Sequence, residues 1–373
     1  MASSELRNYG QISSSNVRPI ILGWNQMFNK PFYEYIYLKL GLNNCSYECV
    51  YTEDKTFESS ASVVLFHVRQ DFRPFPEHRR PEQLYTMMSV ESPHWTKWWL
   101  MARLPNNYFN ISITYHTDST IYLPYDQLSA ITSQTPREQI WSDREIQLQI
   151  NLKQRLALQI VSHCGAPSGR DSITEQLQNL MELDVLGGCN SKSCDDACYQ
   201  RELESHFFYL AFENTVCPQY VTEKFWNALR SLVVPVVLNR SMLNGTGIPD
   251  NVYIAADDFD SVQALAHFLT ALLGDSEKYL SYFNWTKKYR RQWDNTTPSA
   301  LCQLCQIAHK QMQKDKDGIQ TVQLDKFWAE NYCRSLSHSI CHSHKFLFVN
   351  IILLFVFADD SYNVLNRLVI KIF

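Results

Sequence analysis

The residue types best suited to chemistry in this chain are six polar residues that lie close together in the sequence. They are Glu213, Asn214, Tyr220, Thr222, Glu223 and Lys224. A lysine at the start of a helix adds a full positive charge where unpaired N–H groups already attract phosphate. A neighbouring glutamate can accept hydrogen bonds from sugar hydroxyls. Together these residue types predict a site for a sugar nucleotide.

The hydrophobic pattern around this cluster predicts a strand, a loop, a helix and a second strand in direct succession. The apolar runs FFYLAF at 207–212 and VVPVVL at 233–238 are typical of buried strands. Four apolar residues between them follow helical spacing: Phe225, Ala228, Leu229 and Leu232. Such a βαβ unit builds a parallel sheet, and ligands bind where its strands end. The polar cluster falls at that point, although residues 222–224 alone also suit an ordinary helix start with a solvated lysine.

The same segment resembles a signature of the α1,3-fucosyltransferases, the GDP-fucose-dependent glycosyltransferase family 10. The family signature runs FYLAFENS, a spacer, DYVTEKFW-NAL and VPVVLG, and the match extends over residues 207–237. The resemblance implies an α/β protein with the GT-B fold, in which two Rossmann-like domains face a cleft. It also implies an enzyme that moves L-fucose from GDP-β-L-fucose to N-acetylglucosamine of glycoprotein or glycolipid glycans, with inversion of the anomeric centre. A glycosyltransferase with another donor is disfavoured by the same string.

The resemblance supplies a candidate general base, Glu91. The string RRPEQLYTMMSVESP at 79–93 resembles the family's RP-x-GQ-x-W segment that ends in ESP, whose glutamate takes the proton from the acceptor hydroxyl. A carboxylate at the end of a strand that faces a cleft is well placed for this role. Without the family context, a surface glutamate in a turn before a proline would explain the same residues.

Five residues are expected to bind the donor. Arg170 lies in SHCGAPSGRDS, which is similar to the family's SN-x-x-x-x-S-x-R element, and would grip the diphosphate together with Lys224. Tyr220 and Glu223 would contact the fucose or the ribose, and Asn214 would shape the site. The alternative for Arg170 is a salt-bridged arginine at a helix start. No protein-bound metal or cofactor is predicted, and a divalent cation such as Mn²⁺ or Mg²⁺ is expected only as a stimulant.

The 11 cysteines and six Asn-X-Ser/Thr sequons indicate the secretory pathway. The glycosylation candidates are Asn44, Asn110, Asn239, Asn244, Asn284 and Asn295. A zinc site at Cys302-x-x-Cys305 is conceivable, but a matching His or Cys pair close by in the sequence is missing. The family resemblance implies instead that Cys302 and Cys305 form disulfides with Cys45 and Cys49.

Composition limits the possible classes of protein. The chain has 373 residues, of which 45% are hydrophobic and 19% charged, with a formal charge of −4, as expected of a folded protein that does not bind nucleic acid. Members of the resembled family are single-pass type II proteins of the Golgi cisterna membrane with a lumenal catalytic domain. The polar start of this chain shows no such anchor, and the apolar run at 346–357 is short for a membrane span.

These observations give an expected domain organisation, with the polar stretch 133–155 as the linker. The predicted parts are a residual stem or disordered segment (1–16), an acceptor-side domain (17–155), a GDP-fucose-binding domain (156–310), a helical region (311–335) and an atypical hydrophobic tail (336–373).

Several residues depart from the family pattern. His116 replaces an arginine, and Asp126, Leu232 and Asn239 replace glycines. These departures put the acceptor preference in doubt. The altered motif at His116, together with the polar start of the chain, motivates an alternative function, a catalytically impaired homologue that binds GDP-fucose or glycans.

Overall fold

A computed structural model describes residues 18–32, 45–96, 98–291 and 299–312, together with residues 322 and 333. The predicted stem, the sequons Asn44 and Asn295, the hydrophobic tail and most of the 311–335 region lie outside the described residues. Among the described helices, none is long and apolar enough to cross a membrane.

The first part of the described chain forms a parallel sheet. Its six strands are β1 (Ile20–Gly23), β2 (Val50–Thr52), β3 (Val63–His67), β4 (Leu84–Ser89), β5 (Ile111–Thr114) and β6 (Ile121–Tyr122). They pair in the order β2-β1-β3-β4-β5-β6, and every pairing is parallel. All residues of β3 and β4 are buried. Continuous burial is typical of parallel strands with both faces covered, and it explains the unbroken apolar runs of these strands.

The second part forms another parallel sheet. Its five strands are β7 (Arg155–Ile160), β8 (Leu183–Leu186), β9 (His206–Leu210), β10 (Val234–Val237) and β11 (Ile254–Ala255). They pair in the order β11-β10-β9-β7-β8, again with parallel neighbours throughout. The βαβ unit expected from the sequence is therefore present, with β9 and β10 side by side.

Eight α-helices accompany the sheets in the described residues. They are α1 (Trp98–Met101), α2 (Asp143–Asn151), α3 (Arg170–Gln178), α4 (Asp196–Ser205), α5 (Glu223–Arg230), α6 (Val262–Leu272), α7 (Ser276–Ser281) and α8 (Ala300–Met312). On α5, the predicted apolar face is buried through Phe225, Ala228 and Leu229. Leu232 follows the helix with φ of 50°, in the left-handed region that favours glycine, which explains why the resembled family has glycine there.

Two helices lie where the sequence predicts none. The stretch 133–155 was expected to be a linker, yet it contains α2, whose Ser142 and Glu145 form a reciprocal capping box. Ile146 and Ile150 of α2 are buried in the core of the second sheet. Ile146 and Ile150 alternate in the sequence with the exposed Leu148 and Leu152, which hides the helical spacing, so the prediction missed this helix. In the cysteine-rich segment 189–198, α4 begins after Asp195, whose carboxylate accepts the N–H of Cys198 at 2.9 Å.

The last described helix, α8, returns to the first sheet. Leu301, Leu304 and Ala308 of α8 pack in the same apolar core as β1, β3 and β5. Disulfides hold it there, because Cys45 pairs with Cys302 and Cys49 with Cys305. The family resemblance implies bonds between these two pairs of cysteines, and the structure adds which cysteine bonds to which. The sequence separations are 257 and 256 residues, so chain entropy assigns each bond alone a stabilisation of roughly 5 kcal/mol.

Three further disulfides were not expected from the sequence. Cys164 pairs with Cys189, and Cys194 pairs with Cys198. Cys217 in the loop after β9 pairs with Cys333.

Candidate active site

The strand order of the second sheet places a crevice beside β7. The chain runs from β7 through α3 to β8 on one side, whereas β9 lies on the other side of β7. The connections that follow β7 and β9 therefore leave the sheet in opposite directions. A ligand-binding crevice forms at such a switch point, outside the carboxyl ends of the two strands. We call the two connections, residues 161–169 and 211–222, the donor loops.

Short hydrogen bonds join the two donor loops. Ser168 donates its hydroxyl to the carbonyl oxygen of Glu213 at 2.7 Å, and its N–H to the carbonyl of Asn214 at 3.0 Å. Gly169 precedes α3 with φ of 73°, a conformation that glycine adopts without strain. These hydrogen bonds therefore fix the distance between the two donor loops.

Arg170, a predicted diphosphate ligand, is buried between these loops with 2% of its surface exposed. Its Nη1 donates to the carbonyl of Phe212 at 2.9 Å, and its Nη2 donates to the carbonyl of His163 at 2.6 Å. The guanidinium therefore braces both loops. Each terminal nitrogen carries a second N–H, so the geometry is compatible with a hydrogen bond from the guanidinium to a bound diphosphate. The diphosphate role of Arg170 stays a prediction.

Lys224 lies at the start of α5 among three acceptors. Its Nζ is 3.0 Å from Thr222 Oγ1, 2.9 Å from Glu223 Oε1 and 3.3 Å from Glu213 Oε2. Burial lowers the pKa of Lys224, but the attraction of Glu213 and then Glu223 outweighs burial, so the pKa is raised overall. The ammonium group is thus charged at neutral pH and stands at a helix N-terminus, where an anion is favoured.

Glu213 is a site residue to which the sequence assigned no role of its own. Its side chain is 3% exposed, and its Oε1 accepts the N–H of Thr222 at 2.8 Å and the Thr222 hydroxyl at 2.7 Å. Burial raises the pKa of Glu213, while Lys224 and Thr222 oppose the rise. The carboxylate therefore anchors the first turn of α5 and holds Lys224 in place. The signal that could have identified Glu213 was its position in the string FENT at 212–215, which resembles the FENS of the family signature.

The candidate base, Glu91, follows β4 of the first sheet and meets the donor loops. Glu91 Oε2 accepts a hydrogen bond of 3.0 Å from the hydroxyl of Tyr220. Next to it, Thr215 donates its hydroxyl to Ser92 at 2.8 Å. Both contacts join the first sheet to the second, so the structure brings Glu91 together with the predicted donor residues.

Tyrosine rings surround this junction, the region where Glu91 and Ser92 contact the donor loop 211–222. The ring of Tyr220 lies 5.1 Å from Tyr115 and 6.3 Å from Tyr125, measured between centroids. Tyr220 is 2% exposed. Burial raises its pKa well above the ordinary value, and nearby Tyr125, Glu213 and Glu91 add to the effect. Tyr220 is therefore neutral and acts toward Glu91 as a hydrogen-bond donor.

Two departures from the family pattern lie on this junction. Asp126, in the place of a glycine, forms an ion pair with Arg230 near the end of α5. His116 is 8% exposed, and burial lowers its pKa. Beside it, the N–H of Thr117 donates to Gln219 in a donor loop at 2.8 Å. Asp126 therefore links the segment after β6 to α5, and His116 lies beside a contact between the segment after β5 and a donor loop.

Candidate metal ligands in the described residues are already held by protein groups. Cys49, Cys305 and His309 bring ligand atoms within 4.8 Å of one another, but the two sulfurs are bonded together. Asp257 accepts the N–H of Arg240 at 2.8 Å, and Asp258 forms an ion pair with the same arginine.

Comparison with known protein families and structures decides how this site is interpreted. Residues 16–126 match the model "Fucosyltransferase, N-terminal", and residues 150–324 match "Glycosyltransferase family 10 (fucosyltransferase) C-term". The chain belongs to glycosyltransferase family 10, the fucosyltransferases. This confirms the predicted family and the prediction that the chain is a glycosyltransferase.

Curated relatives and solved structures agree. The chain is 31% identical to alpha-(1,3)-fucosyltransferase C of Drosophila melanogaster, over 82% of this chain and 76% of that protein. It is 33% identical to a 4-galactosyl-N-acetylglucosaminide 3-alpha-L-fucosyltransferase of Homo sapiens, over 81% of this chain and 82% of the relative. A crystal structure of an alpha1,3-fucosyltransferase with GDP-fucose superposes with a TM-score of 0.51 at 13% identity, covering 84% of this chain and 95% of the other. The superposition confirms the GT-B fold.

Proposed function

We propose that this family 10 member is an inverting α1,3-fucosyltransferase that uses GDP-β-L-fucose and fucosylates N-acetylglucosamine of glycoprotein or glycolipid glycans. The observation that carries the proposal is the contact between Glu91 and Tyr220, because it places a carboxylate of the first sheet directly against the donor loops of the second. The relatives, which include a 4-galactosyl-N-acetylglucosaminide 3-alpha-L-fucosyltransferase, support the acceptor class.

In the proposed reaction, Glu91 takes the proton of the acceptor 3-hydroxyl while that oxygen attacks C1 of fucose. The bond between C1 and the diphosphate oxygen breaks, and GDP leaves with the bonding electrons. Lys224 and the N–H groups at the start of α5 offset the charge that develops on the diphosphate, with Arg170 as the second cation. A single displacement converts the β-linked donor into an α-linked product.

We propose the Golgi lumen as the site of action. The five disulfides in the described chain suit an oxidising compartment. The acceptor glycans on glycoproteins and glycolipids are lumenal in that compartment, so enzyme and substrate would meet there.

The decisive experiment incubates secreted, purified protein with GDP-fucose and a panel of acceptors. The panel contains N-acetyllactosamine, its glycolipid form and an N-glycan core, with and without a chelator. We expect GDP release and an α1,3-linked product, identified by mass spectrometry and NMR. Donor binding without transfer to any acceptor would favour the impaired homologue. Failure to bind GDP-fucose would reject the donor assignment.

A further inference from the structure

A groove apart from the donor loops lies between α2 and α7, on the outside of the second sheet. Its volume is about 350 Å³. Its floor is apolar and is formed by Ile146 of α2, by Leu280 of α7 and by Phe283. Ile146 and Phe283 are 5% and 3% exposed and belong to the packed core, and the partly buried Leu280 packs against that core.

The rim of the groove is polar. It is formed by exposed side chains that include Asp143 and Gln147 on α2 and Glu277 on α7. An apolar floor beneath carboxylate and amide groups suits a sugar, because the C–H face of the ring can pack below while its hydroxyls and acetamido group are hydrogen-bonded at the sides.

Asn284 is itself part of the groove wall and is exposed. It is the acceptor residue of the sequon Asn284-Trp285-Thr286. The other three described sequons differ: Asn110 accepts the N–H of Tyr85, Asn239 caps the following turn, and neither these two nor Asn244 lines the groove. Asn284 is thus the described sequon residue whose glycan would start inside a preformed depression.

We propose that Asn284 carries an N-linked glycan whose first N-acetylglucosamine lies in this groove and clamps α7 against α2. In the transfer, Nδ2 of Asn284 forms a bond to C1 of a lipid-diphosphate-linked oligosaccharide. The bond from C1 to the phosphate oxygen breaks, the lipid diphosphate leaves, and Nδ2 gives up one proton. The inference depends on the proposed passage through the secretory pathway, but not on the fucosyltransferase activity.

The timing of this modification follows from Thr286. Its hydroxyl donates to the carbonyl of Phe283 at 2.7 Å, and the residue is 1% exposed. The transferase must contact the sequon threonine, so the glycan has to be added before this segment folds. The sugar would therefore be present when α7 packs on α2.

The test uses the full chain secreted from a eukaryotic host, with glycopeptide mapping of Asn284. Three forms are then compared by hydrogen exchange: the intact glycoprotein, protein trimmed by an endoglycosidase to one N-acetylglucosamine, and protein stripped by an amidase that cleaves at asparagine. We expect the trimmed form to retain the slow exchange of α2 and α7. The stripped form should exchange there about fivefold faster, the factor that corresponds to about 1 kcal/mol.

The variant Asn284→Gln should behave like the stripped protein, and Asn244→Gln, which removes an exposed sequon outside the groove, should leave α2 and α7 unchanged. The inference is overturned if Asn284 is unmodified in a preparation whose other sequons are occupied. It is equally overturned if Asn284 is modified but the stripped and trimmed forms exchange alike. Fucosyl transfer, measured in parallel, reports on the proposed function separately.

Discussion

The donor loops and the edge of the first sheet that carries Glu91 are held in place in different ways. Between the donor loops, the contacts of Ser168, Arg170 and Glu213 are made within the second sheet's own connections. Glu91, in contrast, directs its carboxylate to Tyr220 on the other sheet. The donor side is therefore held by contacts within the second sheet and its connections. The position of Glu91, in contrast, depends on contacts between the two sheets.

This difference implies that donor binding and catalysis respond to different substitutions. Changes within the donor loops should weaken binding of GDP-fucose. The junction is formed by Glu91 with Tyr220, Ser92 with Thr215 and Asp126 with Arg230. Changes to its residues outside the donor loops should lower kcat while donor affinity is retained. Four predictions test this separation, beginning with the base itself.

Replacing the candidate base should give the largest effect. Glu91→Gln keeps the shape and can still accept from Tyr220, but it cannot take a proton from the acceptor. We expect kcat to fall about 10²- to 10⁴-fold, as for loss of a general base, with little change in the Kd for GDP-fucose. Steady-state transfer assays and calorimetry measure the two quantities. Glu82→Gln, an exposed carboxylate upstream of β4, is the control; wild-type turnover in Glu91→Gln would reject Glu91 as the base.

The second prediction concerns Lys224, the lysine on the donor side. Lys224→Met should weaken GDP-fucose binding about 10- to 100-fold, the usual range for one charge-assisted contact. It should also lower Tm, because Glu213 keeps a buried charge without its nearest cation. The double variant Glu213→Gln/Lys224→Met should recover Tm but not affinity. Recovery of both would mean that Lys224 only neutralises Glu213 and does not contact the donor.

The donor side was also easier to predict from sequence than the junction. The helix of Phe225, Ala228 and Leu229 and its flanking strands depend on local periodicity, which is visible in a short window. The roles of Glu213 and Tyr220 depend on which atoms meet after folding. The cross-sheet partners Glu91 and Tyr220 are 129 residues apart, and no local pattern encodes that contact.

For Arg170, too, the local sequence predicts the position in the chain but not the contacts of the side chain. Its place at a helix start beside the donor loops follows from local sequence. Its hydrogen bonds to the carbonyls of Phe212 and His163 depend on side-chain burial. Helix α2 was missed for a related reason, because Ile146 and Ile150 become a core face only where the second sheet covers them.

The third prediction is a pH dependence of donor binding. The pKa of Glu213 is raised by burial, and a bound diphosphate that competes for Lys224 would raise it further. Binding should then take up a proton, so affinity should increase as pH falls toward the raised pKa, by at most about tenfold per pH unit. In Glu213→Gln this slope should be lost.

Calorimetry of GDP-fucose binding in two buffers of different ionisation enthalpy measures the proton directly. GDP-fucose is preferred to GDP because its terminal phosphate is esterified and does not titrate near neutral pH. The charged groups that face Glu213 include Lys224 and Glu223. Tight binding with no proton uptake would contradict the linkage and leave the donor assignment intact.

The smallest expected effect belongs to the ion pair between Asp126 and Arg230. Asp126 lies next to Tyr125, whose ring packs on Tyr220, and Tyr220 holds Glu91. Asp126→Asn should therefore lower kcat by up to about fivefold without changing donor affinity, in line with a partly exposed pair worth up to about 1 kcal/mol.

A double-mutant cycle with Arg230→Met tests whether the effect belongs to the pair. Arg230 is 44% exposed, and its replacement should not perturb the core. If the pair sets the position of Glu91, Asp126→Asn and Arg230→Met should each lower kcat, and the double variant should lose little more than either one. The loss should also shrink at high salt, which screens an exposed pair. Additive losses would indicate two independent effects, and a loss confined to donor Kd would place Asp126 with the donor loops instead of the junction.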